Sequence, residues 1–132
     1  MITEQVKNWI KAQAPEFANC IRLGAVDANA EKFLGVYPGN PTGRTHIALG
    51  GTACTKYGTF YARLLLRWGK SQVSAEKQAQ ALWGLFYGLT DTDMDGAIVT
   101  LVDPGSGPVP MGRGGDGVFE YTINLTITYM KE

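Results

Sequence analysis

This chain has one histidine, two cysteines and zero formal net charge, and each scarcity closes off a class of function. With 12 basic and 12 acidic residues, no overall field exists to capture nucleic acid or an anionic membrane. Cys20 and Cys54 form no CxxC pair, so the usual zinc and redox spacings are absent. They read as free thiols of a cytosolic product, with a single disulfide left open. His46 falls in a short expected strand, and neither cysteine is near it in sequence. No nucleophile–base–orienter set can therefore be assembled locally, and His46 reads as structural. No apolar run approaches ~18 residues, so no membrane span is expected. The opening segment is amphipathic rather than continuously apolar, which is not the form of a signal peptide.

What is present is a strongly patterned globular chain. Its 132 residues suit one domain, 1–132, and 45% hydrophobic content is enough for a core. The longest pattern runs from Val118 to Tyr129. Phe119, Tyr121, Ile123, Leu125, Ile127 and Tyr129 alternate with Val118, Glu120, Thr122, Asn124, Thr126 and Thr128. Successive strand residues face opposite sides, so this predicts an apolar face backed by a hydroxyl-rich one. The polar face holds no His, Cys or Lys, and so suits contact rather than reaction. Thr59–Trp68 repeats the pattern, with Phe60, Ala62, Leu64, Leu66 and Trp68 on one face and Arg63 and Arg67 on the other.

Two helices are expected. Ile2, Val6, Trp9 and Ile10 make one helical stripe, with Thr3 as N-cap and Pro15 ending it. Ala75, Ala79, Leu82, Phe86 and Leu89 make the second, over 74–87 with Ser74 as N-cap. Lys32–Tyr37, Thr45–Leu49 and Ala97–Val102 read as further strands, and Asp103–Gly117 as a mobile loop rich in glycine and proline. The order α-β-β-β-α-β-β implies an α+β domain, with a mainly antiparallel sheet flanked by two helices.

Three motifs fall short of the chemistry they suggest. Asp91-Thr92-Asp93-Met94-Asp95-Gly96 opens like a calcium loop, yet Val102 stands where a bidentate glutamate is needed. It reads as a solvated loop between helix and strand, with a weak ion site from the three aspartates as the alternative. Gly39–Thr45 has the wrong spacing for a phosphate loop, with Arg44 in place of lysine, and leads into a strand. Gly112–Gly117 precedes a strand rather than a helix, so it is not a dinucleotide fingerprint. It reads either as a flexible hairpin connection or as a loop that orders on a partner, with Arg113 and Asp116 as its charged anchors.

Charge is segregated along the chain. Lys56, Arg63, Arg67 and Lys70 fall in a run without acids, and Asp91, Asp93, Asp95 and Asp103 in a run without bases. These are either two separate solvated surfaces or complementary ends. Arg63 and Arg67 share one strand face, and ion pairing at a subunit boundary is the expected use.

Leu34-Gly35-Val36-Tyr37, Ile47-Ala48-Leu49-Gly50-Gly51, Leu64–Lys70, Ala75–Ala79 with Leu82, Pro110 with Gly112-Arg113, and Gly117–Tyr121 occur in that order. Together they resemble the minor capsid proteins of Gram-positive prophages, which look like tail terminators of long-tailed phages. The family often has a histidine where Arg67 stands, and a shorter acidic turn at Gly114-Gly115-Asp116. The resemblance covers about Glu31 to Tyr129 and leaves out the first helix.

The resemblance implies a virion protein of the tail or neck, assembled in the bacterial host cytoplasm. It would form a ring, in all expectation a hexamer, that caps the tail tube and meets the head–tail connector protein. The implied partners are copies of itself, the tail-tube protein and the connector, with no membrane and no sequence-specific nucleic acid. No enzyme activity, cofactor or metal is expected. Read from the residues rather than from the resemblance, Arg63, Arg67, Arg113, Asp116 and Glu120 are the expected contacts with a subunit or partner. A tail-tube or head-closure protein of similar build is the alternative, and a small α+β enzyme a more distant one.

Overall fold

The computed structural model describes residues 1–24, 31–40, 49–51, 56–113 and 117–131. Its elements are α1 (Thr3–Gln13), a 3-10 turn at Pro15–Phe17, β1 (Ile21–Leu23), β2 (Lys32–Pro38), β3 (Tyr57–Trp68), α2 (Gln72–Phe86), β4 (Thr90–Met94), β5 (Ala97–Asp103), β6 (Val109–Arg113) and β7 (Phe119–Met130). The fold is α+β, as the sequence implies. One sheet runs β1-β2-β3-β7-β5-β4, with β6 also paired to β7. Every pairing is antiparallel except β1 with β2.

β3 and β7 form the spine, in register from Tyr57↔Met130 to Arg67↔Glu120. Their alternating apolar residues make the core face. Ala62, Leu64, Leu66, Ile123, Leu125 and Ile127 are all buried there. The same cluster holds Val6, Trp9 and Ile10 from α1 and Ala75, Ala79, Leu82 and Phe86 from α2. Trp9 meets Phe86 at 5.2 Å between ring centroids, so the helices touch each other over one sheet face. Both helices therefore lie on the same side. Truncating a side chain such as Leu64 or Leu82 would cost about 2–5 kcal/mol, through lost transfer energy and the cavity left behind.

The helix starts differ by a few residues from the expectation. Ile2, not Thr3, is the N-cap of α1, and the Gln5 side chain accepts from the Ile2 N–H at 2.9 Å. Ser71, not Ser74, caps α2, accepting from the Ser74 N–H at 3.4 Å. Serine spacing let either residue serve. The earlier one wins because its backbone is extended while the next residues are already helical.

Two expected loops contain strands. Asp91–Asp95 is not a solvated loop: it is mostly β4, which pairs with β5 through Met94↔Ala97. Asp95 and Gly96 between them both have positive φ, 50° and 93°, the backbone of a two-residue hairpin turn. The Asp95 carboxylate accepts from Asn8 at 2.8 Å, and its carbonyl accepts from Gln5 at 3.2 Å, which ties this turn to α1.

Asp103–Gly117 likewise is not one loop. β5 pairs with the far half of β7 (Asp103↔Thr126) and β6 with the near half (Val109↔Thr122). The two strands are thus consecutive along the same edge of β7, with residues 104–108 bridging them. Asp103 accepts from the Gly105 N–H at 2.9 Å, and Trp83 of α2 donates to the Pro104 carbonyl at 3.1 Å. These bonds hold the bridge to the sheet and to the helix above it.

The strand expected at Thr45–Leu49 lies outside the described residues except for Leu49, which is fully exposed. Among the described residues, no helix is long and apolar enough to cross a membrane.

Candidate functional site

The helices leave the other sheet face to be accounted for. Strand register orders its side chains into rungs. From one end these are Asp93–Ile98, then Tyr57–Met130, then Thr59–Thr128–Leu101–Thr90, then Tyr61–Thr126–Asp103. Arg63–Asn124, Leu65–Thr122–Val109 and Phe33–Arg67–Glu120 follow. The two ends of this ladder differ sharply.

The far end is closed. Phe33 is 3% exposed and Val118 fully buried, though neither belongs to the helix-covered core. Gly35 explains part of the closure. A Cβ there would lie 2.7 Å from the Tyr37 ring and 3.0 Å from the Phe33 ring, so both rings fold over the space its missing side chain leaves. Arg67 is buried in the same place, with Nε 3.8 Å from Glu120 Oε1. The Arg67 side chain is 5% exposed and that of Glu120 28%. The two acquire a partner within the subunit. Arg67, expected at a subunit boundary, thus has a carboxylate partner within its own subunit.

The near end is open. Tyr57, Ile98, Leu101 and Met130 are 44–50% exposed there, apolar groups on a face otherwise lined with threonine. Ile98 and Leu101 share it because of a bulge. Register shifts between Val99 and Leu101, so the burial of β5 follows Val99 and Val102 rather than strict alternation. Thr100 at the bulge donates to the Thr128 carbonyl at 3.1 Å.

Between the two ends lies a groove of about 320 Å³, lined by Tyr61, Arg63, Asn124 and Thr126 with Gly39 and Asn40 at its side. Arg63 is exposed, and among the described residues no carboxylate pairs with it. Of the other expected interface residues, Arg113 ends β6 and Asp116 lies outside the described residues. His46 and Cys54 also lie outside them. Sequence reasoning did not single out Tyr61, Asn124 or Thr126 as groove residues. Their alternation marks the right face, but the pairing that sets them beside Arg63 is a non-local fact.

The aspartates of the calcium-like segment are already occupied in part. Asp93 Oδ1 accepts from the Gly96 N–H at 2.8 Å, and Asp95 is bound to Asn8. Among the described residues, no three His, Cys, Asp or Glu side chains converge in a metal-binding group. Asp91, at φ 48°, and Asp93 are exposed on β4, a strand at the sheet edge. Cys20 is half-buried, and desolvation pushes its thiol above the ordinary range despite the opposing fields of Arg22 and Lys32. A thiol so shifted is a poor nucleophile at neutral pH.

No family model matches the chain, and no curated protein matches it. Among solved structures, one chain designated only by a sequence identifier is 15% identical. It aligns over 100% of this chain and 97% of its own, with a TM-score of 0.46. At that level the likeness carries no argument about function.

Proposed function

We propose that this chain is a tail-completion protein of a long-tailed phage or prophage. It forms a ring that caps the tail tube and joins it to the head connector. The observation that carries the reading is spatial. Of the segments that bear the family resemblance, Ile47-Ala48 lie outside the described residues. Apart from Leu49-Gly50-Gly51, the others lie in or directly beside β2, the end of β3, α2, β6 and the start of β7, and β2, β3 and β7 are direct neighbours in one sheet, with β6 paired to β7. α2 packs on that sheet through Ala75, Ala79 and Leu82. The resembling pieces thus make one structural frame rather than scattered matches.

Surface chemistry supports the same reading. A half-open sheet face offers apolar and hydroxyl groups for contact, and the acids of β4 stand apart from the exposed Arg63. Heterologous contacts of this kind close into a ring when the rotation between copies is right. About 1,000 Å² of buried surface per contact is enough for specificity. On this account the work is geometric: one ring stops tube growth and presents a surface to the head.

The direct test is biochemical. Purified protein added to polymerising tail-tube subunits should stop elongation at substoichiometric amounts, without itself growing into tubes. A tail-tube protein would instead extend into polymers when purified alone, and a head-closure protein would bind heads without arresting tubes.

A further inference from the structure

We propose that the acidic β4 edge of one copy docks against the Arg63 groove on the outer sheet face of the next. The proposal rests on the ring reading above and names the contact that would build it. Its first support is that each side lacks its counter-charge at home. Among the described residues, Arg63 is exposed and has no carboxylate partner, and Asp91 and Asp93 are exposed and have no cationic one.

The second support is position. The sheet order sets β7 and β5 between β3 and β4, three strand spacings of roughly 4.8 Å each, so Arg63 cannot reach Asp93 within one chain. Two charges held apart by the fold can meet only across copies. The groove also has the right lining. Asn124 and Thr126 stand in register with Arg63 and Tyr61, which surrounds the guanidinium with amide and hydroxyl groups able to donate to carboxylate oxygens.

The third support is the shape of the acidic side. β4 is held by its hairpin with β5 and by the Asp95–Asn8 bond to α1, so its carboxylates are presented on a fixed edge. The positive φ at Asp91 interrupts the strand's regular edge, which discourages simple strand addition there. Contact through side chains, edge against face, is what remains. Because groove and edge are different patches, the contact is heterologous and repeats from copy to copy.

The test is sedimentation of the full chain over rising concentration, at low and high salt. Wild-type protein should self-associate, more weakly at high salt, since exposed charges are screened. Arg63→Glu and Asp91→Lys/Asp93→Lys should each weaken association by about tenfold or more, because each sets like charges against one another. Mixing the two variants in equal amounts should restore it, as should combining all three changes in one chain. All three positions are exposed, but Asp93→Lys also gives up the bond from the Gly96 N–H, so circular dichroism and a thermal melt of every variant, with Asp93→Asn as the neutral control that keeps this acceptor, separate a loosened turn from a lost contact. Wild-type protein that stays monomeric up to millimolar concentration would overturn the contact. So would association unaffected by charge reversal, or variants that fail to rescue each other. None of these results bears on whether tails need the protein, so the contact and the tail-capping role can fail separately.

Discussion

Arg67 on β3 and Glu120 on β7 stand opposite each other in register, and their side chains approach to 3.8 Å at the closed end of the outer sheet face. Arg67 is thereby a structural residue of the subunit. Arg67→Glu would place an almost fully buried carboxylate beside the partly exposed one of Glu120. It is expected to destabilise the fold by about 3 kcal/mol, in the range for breaking a buried pair. Replacing both partners with apolar residues, Arg67→Met with Glu120→Leu, should cost far less, because no charge is then left unpaired. Urea denaturation of the three proteins checks this. Equal stability of Arg67→Glu and the native chain would show that the pair contributes nothing.

The Asp95-Gly96 turn gives a cleaner backbone test. Gly96 has φ 93°, and a Cβ there would meet no atom within 4 Å. Gly96→Ala should therefore cost about 1 kcal/mol from backbone strain alone. A D-alanine at the same place, made by chemical ligation, should be neutral or slightly stabilising, since it prefers positive φ and narrows the unfolded ensemble. Thermal melts of the two proteins separate strain from lost contact. If both lose stability equally, the turn is not held as described.

Calcium should not stabilise this protein. Asp93 and Asp95 already accept bonds from Gly96 and Asn8, and the segment is a strand hairpin rather than a loop entering a helix. Millimolar calcium is expected to leave the melting temperature unchanged. A saturable rise of several degrees that disappears in Asp93→Ala would contradict this.

How much of this was legible depended on the length of each pattern. β3, β7 and the two helices could be read because ten or more residues repeat one period, and burial of the apolar face follows from that period. β5 was legible as a strand, but its bulge at Thr100 breaks the alternation and turns Leu101 outward with Ile98. β4 was missed because its aspartates disfavour strand, although Asp95-Gly96 before Ala97-Ile98-Val99 is a hairpin signal. β6 was missed because Pro110 and Gly112 mark a turn locally. They are tolerated where β6 bulges between Pro110 and Gly112 against β7.

The site was harder still. Arg67 on a polar strand face looked like a group awaiting another chain. It stands in register with Glu120, from a strand more than fifty residues away, and with Phe33 from another, pairings that no local window contains. The groove around Arg63 has the same non-local origin. Only the choice of face, hydroxyls and Arg63 on one side and core on the other, came from alternation.

The central claim is that this protein completes phage tails, and particles assembled in its absence test it most directly. Electron microscopy of lysates from a phage or prophage with this one gene deleted should show tail tubes of uncontrolled length, or tubes that fail to join heads. Supplying the native chain from a plasmid should restore uniform, joined tails. Tails of normal length that join heads normally without the protein would contradict the account.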